Sequence, residues 1–306
     1  MNTLLFGVGP LLGFVGMLSG GYWGVGCGWI VVPVLLILGF EPLDAVGIGL
    51  LQMVPSTLLT VMRQAPEIGW KPGEPGRSLA IPVGVGALLT SLCGKSINRR
   101  LFDLCGPAPL QWMLIGLITF IAVQTLCSRT RCYNDTMPPV TPLRSRIAFA
   151  TGLVTGLVSS LPGVGGGLLI RPLLTSGFQV PEYYTSRIVR LLVLVTTVTG
   201  GVTYLLSAGG FNWQMFGAAM LIAVGGIVGF PLGARLHRIV YDNGYAQHIH
   251  KSFAVVAVAL LTSTLCSIFG LQAQSRIIMI AIAVLLMVYL ALFTLYTRKH
   301  PRKIVR

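Results

Sequence analysis

Between Gly13 and Gly28 the chain reads G-F-V-G-M-L-S-G-G-Y-W-G-V-G-C-G, and a closely similar run recurs 139 positions later, from Gly152 to Gly167. At this fixed offset Gly24-Val25-Gly26 falls on Gly163-Val164-Gly165, Gly28 on Gly167, Pro33 on Pro172 and Leu35 on Leu174. Further along, Gly86 meets Gly225, Gly94 meets Gly233, Arg99 meets Arg238 and Asp103 meets Asp242. The register holds without net insertion and reads as an internal duplication. A duplicated apolar unit with a glycine break in its first segment is a common plan among secondary transporters.

Apolar residues make up 54% of the 306 positions, only 10% are charged, and the mean hydropathy is +0.80. Such a chain is an all-α polytopic membrane protein rather than a soluble domain. About 20 apolar residues span a bilayer, and candidate spans lie at 43–62, 78–98, 108–127, 183–206, 211–234, 250–269 and 274–297. Two further segments, 4–38 and 146–177, carry the glycine breaks. The N-terminus lacks a basic region, and its first apolar stretch recurs inside the chain, so no cleavable leader is expected.

The expected division is a first transmembrane repeat over 1–127, a basic, proline-rich linker over 128–146, a second repeat over 147–270, and an extra helix with a basic tail over 271–306. The net charge of +14 is explained by topology rather than by nucleic acid, because the basic residues sit in short loops and in the tail Arg298, Lys299, Arg302, Lys303 and Arg306. If both glycine-broken segments are re-entrant, one face holds those five together with Arg63, Lys71, Arg77, Arg129, Arg131, Arg144, Arg146, Arg187, Arg190, Arg235, Arg238 and Lys251. The other face then holds only Lys95, Arg99, Arg100 and Arg276. Two full crossings divide the charges less unequally, so the positive-inside bias favours re-entrant segments, inverted repeats and a cytoplasmic C-terminus. The expected location is a bacterial inner membrane.

Backbone at membrane depth must be hydrogen-bonded within the protein or line a watery cavity. The runs Gly24, Gly26, Gly28 and Gly163, Gly165, Gly166, Gly167 therefore read as loops lining a site, with close helix packing as the alternative. Each is followed by an apolar stretch, Trp29–Leu38 or Leu168–Ser176, able to begin a half-helix. The free N–H groups of a helix start suit a small oxyanion. Neither run ends in Gly-Lys-Ser/Thr, which argues against a nucleotide-phosphate loop.

Arg171 stands where the first copy has Val32, so the duplication supplies an apolar control for it. A charge inside such a segment is a candidate site residue by default; pairing with Glu182 or Asp44, or reaching to the interface, is the alternative. Arg187 and Arg190 lie three apart on the next helix and add positive potential there, unless they serve topology alone. In the corresponding helix of the first half, Gln52 and Ser56 are four apart and share a face. With Thr57 they are candidate donors to a bound oxyanion, or bonds between helices. Thr196 matches Thr57 at the same offset, Thr197 adjoins it, and Trp23 stands at the tip of the first loop as a gate or as packing.

The six cysteines, Cys27, Cys93, Cys105, Cys127, Cys132 and Cys266, are scattered and make no metal pattern. The four histidines and eight acids form no catalytic pair or proton relay. No catalytic residues, cofactor or metal are expected, and the chain does not read as an enzyme.

The segments Gly20 to Pro42, G-G-Y-W-G-V-G-C-G-W-I-V-V-P-V-L-L-I-L-G-F-E-P, and Leu161 to Leu174, L-P-G-V-G-G-G-L-L-I-R-P-L-L, resemble the TauE/SafE family of sulfite exporters, also called the toluene-sulfonate uptake permease family. The run Gly225 to Leu236 is similar to the family's next helix, and the resemblance covers most of 10–270. It implies a permease for small anions such as sulfite, sulfoacetate or another organosulfonate or carboxylate. The partners expected are that anion, H+ or Na+ as coupling ion, the lipid bilayer and, in a homo-oligomer, further copies of the chain, with no nucleic acid. Where the family tends to carry a small-Thr-Ser motif after each loop, this chain has Gly47-Ile48-Gly49 and Ser186-Arg187-Ile188. The alternative function is a membrane-embedded assembly or accessory subunit without transport activity.

Overall fold

The computed structural model describes residues 3–127, 142–207 and 210–300. In the first half α1 (Thr3–Trp23) stops at the glycine break and α2 (Gly28–Ile37) resumes after it. Next come α3 (Pro42–Leu51) and α4 (Val54–Gln64), which form one kinked segment. The kink falls at Gln52 and Met53 because Pro55 has no N–H for the Leu51 carbonyl. A 3₁₀ turn, Ala65–Ile68, and a π-helical turn, Gly76–Ala80, lead to α5 (Ile81–Ser91), α6 (Gly94–Cys105) and α7 (Ala108–Cys127).

In the second half α8 (Pro142–Ser160) precedes the break, and α9 (Gly167–Pro172) follows it and passes into a π-helical turn, Leu173–Gly177. Then α10 (Glu182–Leu205) leads through a short antiparallel hairpin, β1 (Leu206–Ser207) and β2 (Gly210–Phe211), to α11 (Trp213–Asp242). The chain closes with α12 (Ala246–Ile268) and α13 (Gln272–Lys299). Residues 142–146, expected in the linker, form the first turn of α8, where a proline is well tolerated. The rest of the expected linker, with Arg129, Arg131 and Cys132, and the tail residues Arg302, Lys303 and Arg306 lie outside the described residues.

Among the described residues, six helical segments are long and apolar enough to cross a membrane: Pro42–Ile68, Gly76–Cys105, Tyr184–Leu205, Trp213–Asp242, Lys251–Ile268 and Gln272–Lys299. They coincide with expected spans, and the protein is an all-α polytopic membrane protein. α7 is a further apolar helix, and α13 carries exposed Ile277, Ile280, Leu285 and Leu292, the surface a lipid-facing helix presents.

The most extensive helix pairings are α1 with α11 and α5 with α8. Along the first pair, side chains at Gly225, Gly229 and Gly233 would overlap the carbonyl oxygens of Pro10, Phe14 and Leu18. Four-residue steps on one helix match four-residue steps on the other, so the two run parallel in close backbone contact, as glycine at every fourth position permits. Gly13 likewise meets the Ile222 carbonyl. In the second pair Gly152 meets the carbonyl of Val83, and Gly86 that of Phe149. Each of these positions stands at the 139-residue offset from its counterpart in the first pair.

α10 runs through the middle of the bundle against α3, α4, α5 and α9. At one end of the bundle, Arg63 closes α4 and Arg187 on α10 meets Glu67. At the other, Lys95 donates to the carbonyls of Tyr204 and Leu206, and Asp44 faces Asn212, which caps α11 by accepting from the Met215 N–H.

Candidate functional site

Glycine dictates the geometry of both breaks. Gly24 and Gly26 have φ of 70° and 82°, and Gly163, Gly165 and Gly166 have φ of 74°, 80° and 74°, a region that side chains oppose. Beyond the left-handed Gly24, Val25 N–H bonds back to the Gly20 carbonyl at 3.1 Å; beyond Gly163, Val164 N–H bonds back to Ser159 at 3.1 Å. These six-residue closures satisfy carbonyls at the ends of α1 and α8 and turn the chain sharply.

The two breaks then meet. A side chain on Gly28 would overlap the Gly163 carbonyl oxygen, and one on Gly167 would sit 2.6 Å from the Val25 carbonyl oxygen. Val193, Thr196 and Thr197 from the middle of α10 and Met53 from the kink between α3 and α4 surround the crossing. Thr196 Oγ donates to the Gly165 carbonyl at 3.1 Å, and Met53 Sδ accepts the Cys27 N–H at 3.4 Å. The crossing thus lies level with the centres of two spanning segments. Gly26, Gly28, Gly163, Gly165, Gly166 and Gly167 are all buried, and Gly24 is half-buried.

In the first turn of α2 the Ile30 and Val31 N–H groups donate to the Cys27 carbonyl at 2.9 and 3.0 Å, those of Gly28 and Trp29 precede the intrahelical ladder, and the Cys27 N–H before them is taken by sulfur. α9 runs six residues before its π-helical turn, so its aligned peptide dipoles are few. Where the breaks touch, the facing groups are carbonyl oxygens of Val25 and Gly163. An anion has no place between them in this arrangement.

Positive charge is supplied at the edge of the crossing. Arg171 Nη1 donates to the Trp23 carbonyl at the C-terminal end of α1 and lies 2.7 Å from where a side chain on Gly24 would stand. A cation there complements the negative end of the helix dipole. Of the two acids considered as its partner, Asp44 faces Asn212, and the Glu182 side chain lies outside the described residues. His237 Nδ1 is 2.6 Å from the neighbouring Tyr22 carbonyl. Trp23, 3% exposed, is bonded through Nε1 to the Ile249 carbonyl and packs on Trp29 and Phe253. Its ring ties α1 to α12.

The remaining candidates divide. Gln52 reaches the first break, donating from Nε2 to Cys27 Sγ at 2.7 Å and to the Gly49 carbonyl at 3.2 Å, while its buried Oε1 has no hydrogen-bond partner among the described residues. Ser56 and Thr57 both donate back to the Met53 carbonyl. Gln52 thus bonds toward the first break, whereas Ser56 and Thr57 bond within their own segment. Arg187 is engaged by Glu67, with Nε 2.8 Å from Oε2, so its charge is largely balanced. Arg190 donates to Gln64 Oε1 at 2.7 Å and stands over the Phe230 ring at 5.8 Å.

Several contributors carry no signal in the sequence. Met53, Cys27 and the Asn98 amide are ordinary apolar or helix-surface residues by pattern, yet Asn98 Nδ2 holds the second break by donating to the Leu161 carbonyl at 3.0 Å and to Tyr204 Oη at 2.9 Å. The glycines that replace the small-Thr-Ser pattern are filled sites. A side chain on Gly47 would come within 2.6 Å of Met215 Sδ, and one on Gly49 within 2.5 Å of Val32.

The chain is 23% identical over 283 residues to a probable membrane transporter protein of Methanocaldococcus jannaschii, spanning 85% of this chain and 92% of that one. It is 24% identical over 261 residues to the probable membrane transporter protein YunE of Bacillus subtilis, spanning 77% and 88%. No solved structure matches it with significance. The family model described as sulfite exporter TauE/SafE matches residues 9–260, and the chain, an integral membrane protein with paired glycine breaks, belongs to that family.

Proposed function

We propose that this membrane transporter moves a small anion, such as sulfite, sulfoacetate or another organosulfonate or carboxylate, by alternating access. The observation that carries the reading is the contact of Gly28 with Gly163 and of Gly167 with Val25, two breaks of similar sequence meeting beside the buried Gln52 and Thr196 with Arg171 at the edge. The two halves act as inverted repeats, and the glycine-broken segments are re-entrant. Separation of the breaks exposes the N–H groups at the start of α2, and Arg171 supplies the charge that draws an anion toward them. The close backbone contact of carbonyl oxygens marks the substrate-free state. Relatives named as probable membrane transporters and a family named for sulfite export agree with this reading. The protein works without a catalytic centre, in a bacterial inner membrane, with its more basic face and C-terminus in the cytoplasm.

The test is uptake of radiolabelled sulfite into proteoliposomes, with unlabelled sulfate, sulfoacetate, taurine and lactate as competitors and with imposed proton or sodium gradients. Saturable uptake that is lost in a correctly folded Arg171→Ala variant supports the reading. Absence of uptake for every anion under every gradient would refute it.

A further inference from the structure

The first break carries a chemical feature that the second lacks. Cys27, Met17, Met53 and Gln52 are each 0% exposed and converge behind Gly26. Cys27 Sγ is 3.0 Å from Met17 Sδ, Met53 Sδ is 3.4 Å from the Cys27 nitrogen, and Gln52 Nε2 is 2.7 Å from Cys27 Sγ. At the 139-residue offset the corresponding positions are Gly166, Gly156, Leu192 and Leu191. At these positions the second half has neither sulfur nor amide, so a glycine break of this kind forms without side chains of that chemistry there. A second observation points to a ligand: Gln52 Oε1 is buried without a hydrogen-bond partner among the described residues, at a cost normally avoided.

We propose that Cys27 Sγ and Met17 Sδ, with Met53 Sδ as a third donor, form a buried site for a soft monovalent cation, Cu+, held beside the first glycine break. Thiolate and thioether sulfur select Cu+ over hard cations. Methionine's unbranched chain lets the sulfurs move from mutual contact to coordination distance. The Gln52 amide N–H, 2.7 Å from Cys27 Sγ, stabilises the thiolate. On binding, the Cys27 thiol releases its proton to solvent and the freed sulfur electron pair bonds the metal; no oxidation state changes. The scattered cysteine spacing conceals such a site because two of its three sulfur donors are methionines from other segments. Metal bound here fixes Met17 of α1 and Met53 of the kink to the break between them, so the site holds the crossing shut. This inference stands independently of which anion is carried.

The experiment uses the full chain in detergent with Cys93, Cys105, Cys127, Cys132 and Cys266 replaced by serine, titrated with Ag+ as a redox-inert probe and with Cu+ under anaerobic conditions against a chromophoric chelator. The expected result is one equivalent bound, an X-ray absorption first shell of sulfur alone, and loss of binding in Cys27→Ser. Gln52→Leu weakens affinity by about tenfold, the loss typical of a group that supports a metal ligand, and Met17→Leu, which conserves volume, weakens it at least as much. Binding that survives Cys27→Ser, an oxygen or nitrogen first shell, or full affinity in a monodisperse Met17→Leu protein would overturn the proposal.

Discussion

The carbonyl oxygen of Gly163 occupies the space that a side chain on Gly28 would need, and Val25 stands in the same relation to Gly167 at 2.6 Å. Two residues from opposite halves of the chain thus fix how close the two breaks can come. A methyl group at either glycine has a backbone atom in its way, which cannot swing aside as a side chain would. Gly28→Ala and Gly167→Ala are each expected to destabilise the protein by about 1–3 kcal/mol, the usual cost of overpacking, and to slow transport together with stability. Thermal unfolding in detergent and proteoliposome uptake check this; wild-type values for both would show that the breaks separate freely.

The helix pairing makes a contrast that can be measured in the same assay. Gly225 faces the Pro10 carbonyl, whereas a side chain on Gly116 meets nothing within 4 Å. Gly225→Val is expected to cost about 3 kcal/mol through overpacking. Gly116→Ala should instead be neutral or stabilising by up to about 1 kcal/mol, because alanine favours the helix. Reversal of that order would mean that α1 and α11 do not pack as described.

Arg171 donates to the Trp23 carbonyl, so its removal has a structural and a functional component that must be separated. Loss of a cation from a helix C-terminus is worth roughly 0.3–1 kcal/mol. Arg171→Ala should therefore lower the unfolding temperature only slightly while abolishing anion uptake, and Arg171→Lys should recover part of the uptake. Full uptake by the alanine variant would reduce Arg171 to a cap on α1.

The ion pair between Arg187 and Glu67 has a carboxylate side chain that is 47% exposed, and pairs of that kind contribute at most about 1 kcal/mol. Glu67→Gln should leave stability within that margin, with the difference vanishing at high salt. In uptake assays the same change uncovers the Arg187 charge. A lower apparent KM for the anion would place Arg187 on the substrate's path, and an unchanged KM would assign it to topology.

The sequence by itself determined the spans and the breaks. A bilayer demands about 20 apolar residues per crossing helix, and Pro42–Ile68 and Trp213–Asp242 show in composition alone. Gly24, Gly26, Gly163 and Gly165 have positive φ, which only glycine adopts cheaply, so their clustering was legible as two interruptions. Tertiary structure alone decided what each break meets. Arg171 ends on a backbone carbonyl 148 positions away, and Glu67 balances Arg187. Gln52 finds the Cys27 thiol of another segment, while Ser56 bonds the Met53 carbonyl of its own. Backbone dihedral preference and bilayer thickness act on neighbouring residues and are written locally. Which carbonyl, thiol or carboxylate a side chain finds depends on helices brought together from distant parts of the chain, and local pattern carries no record of that.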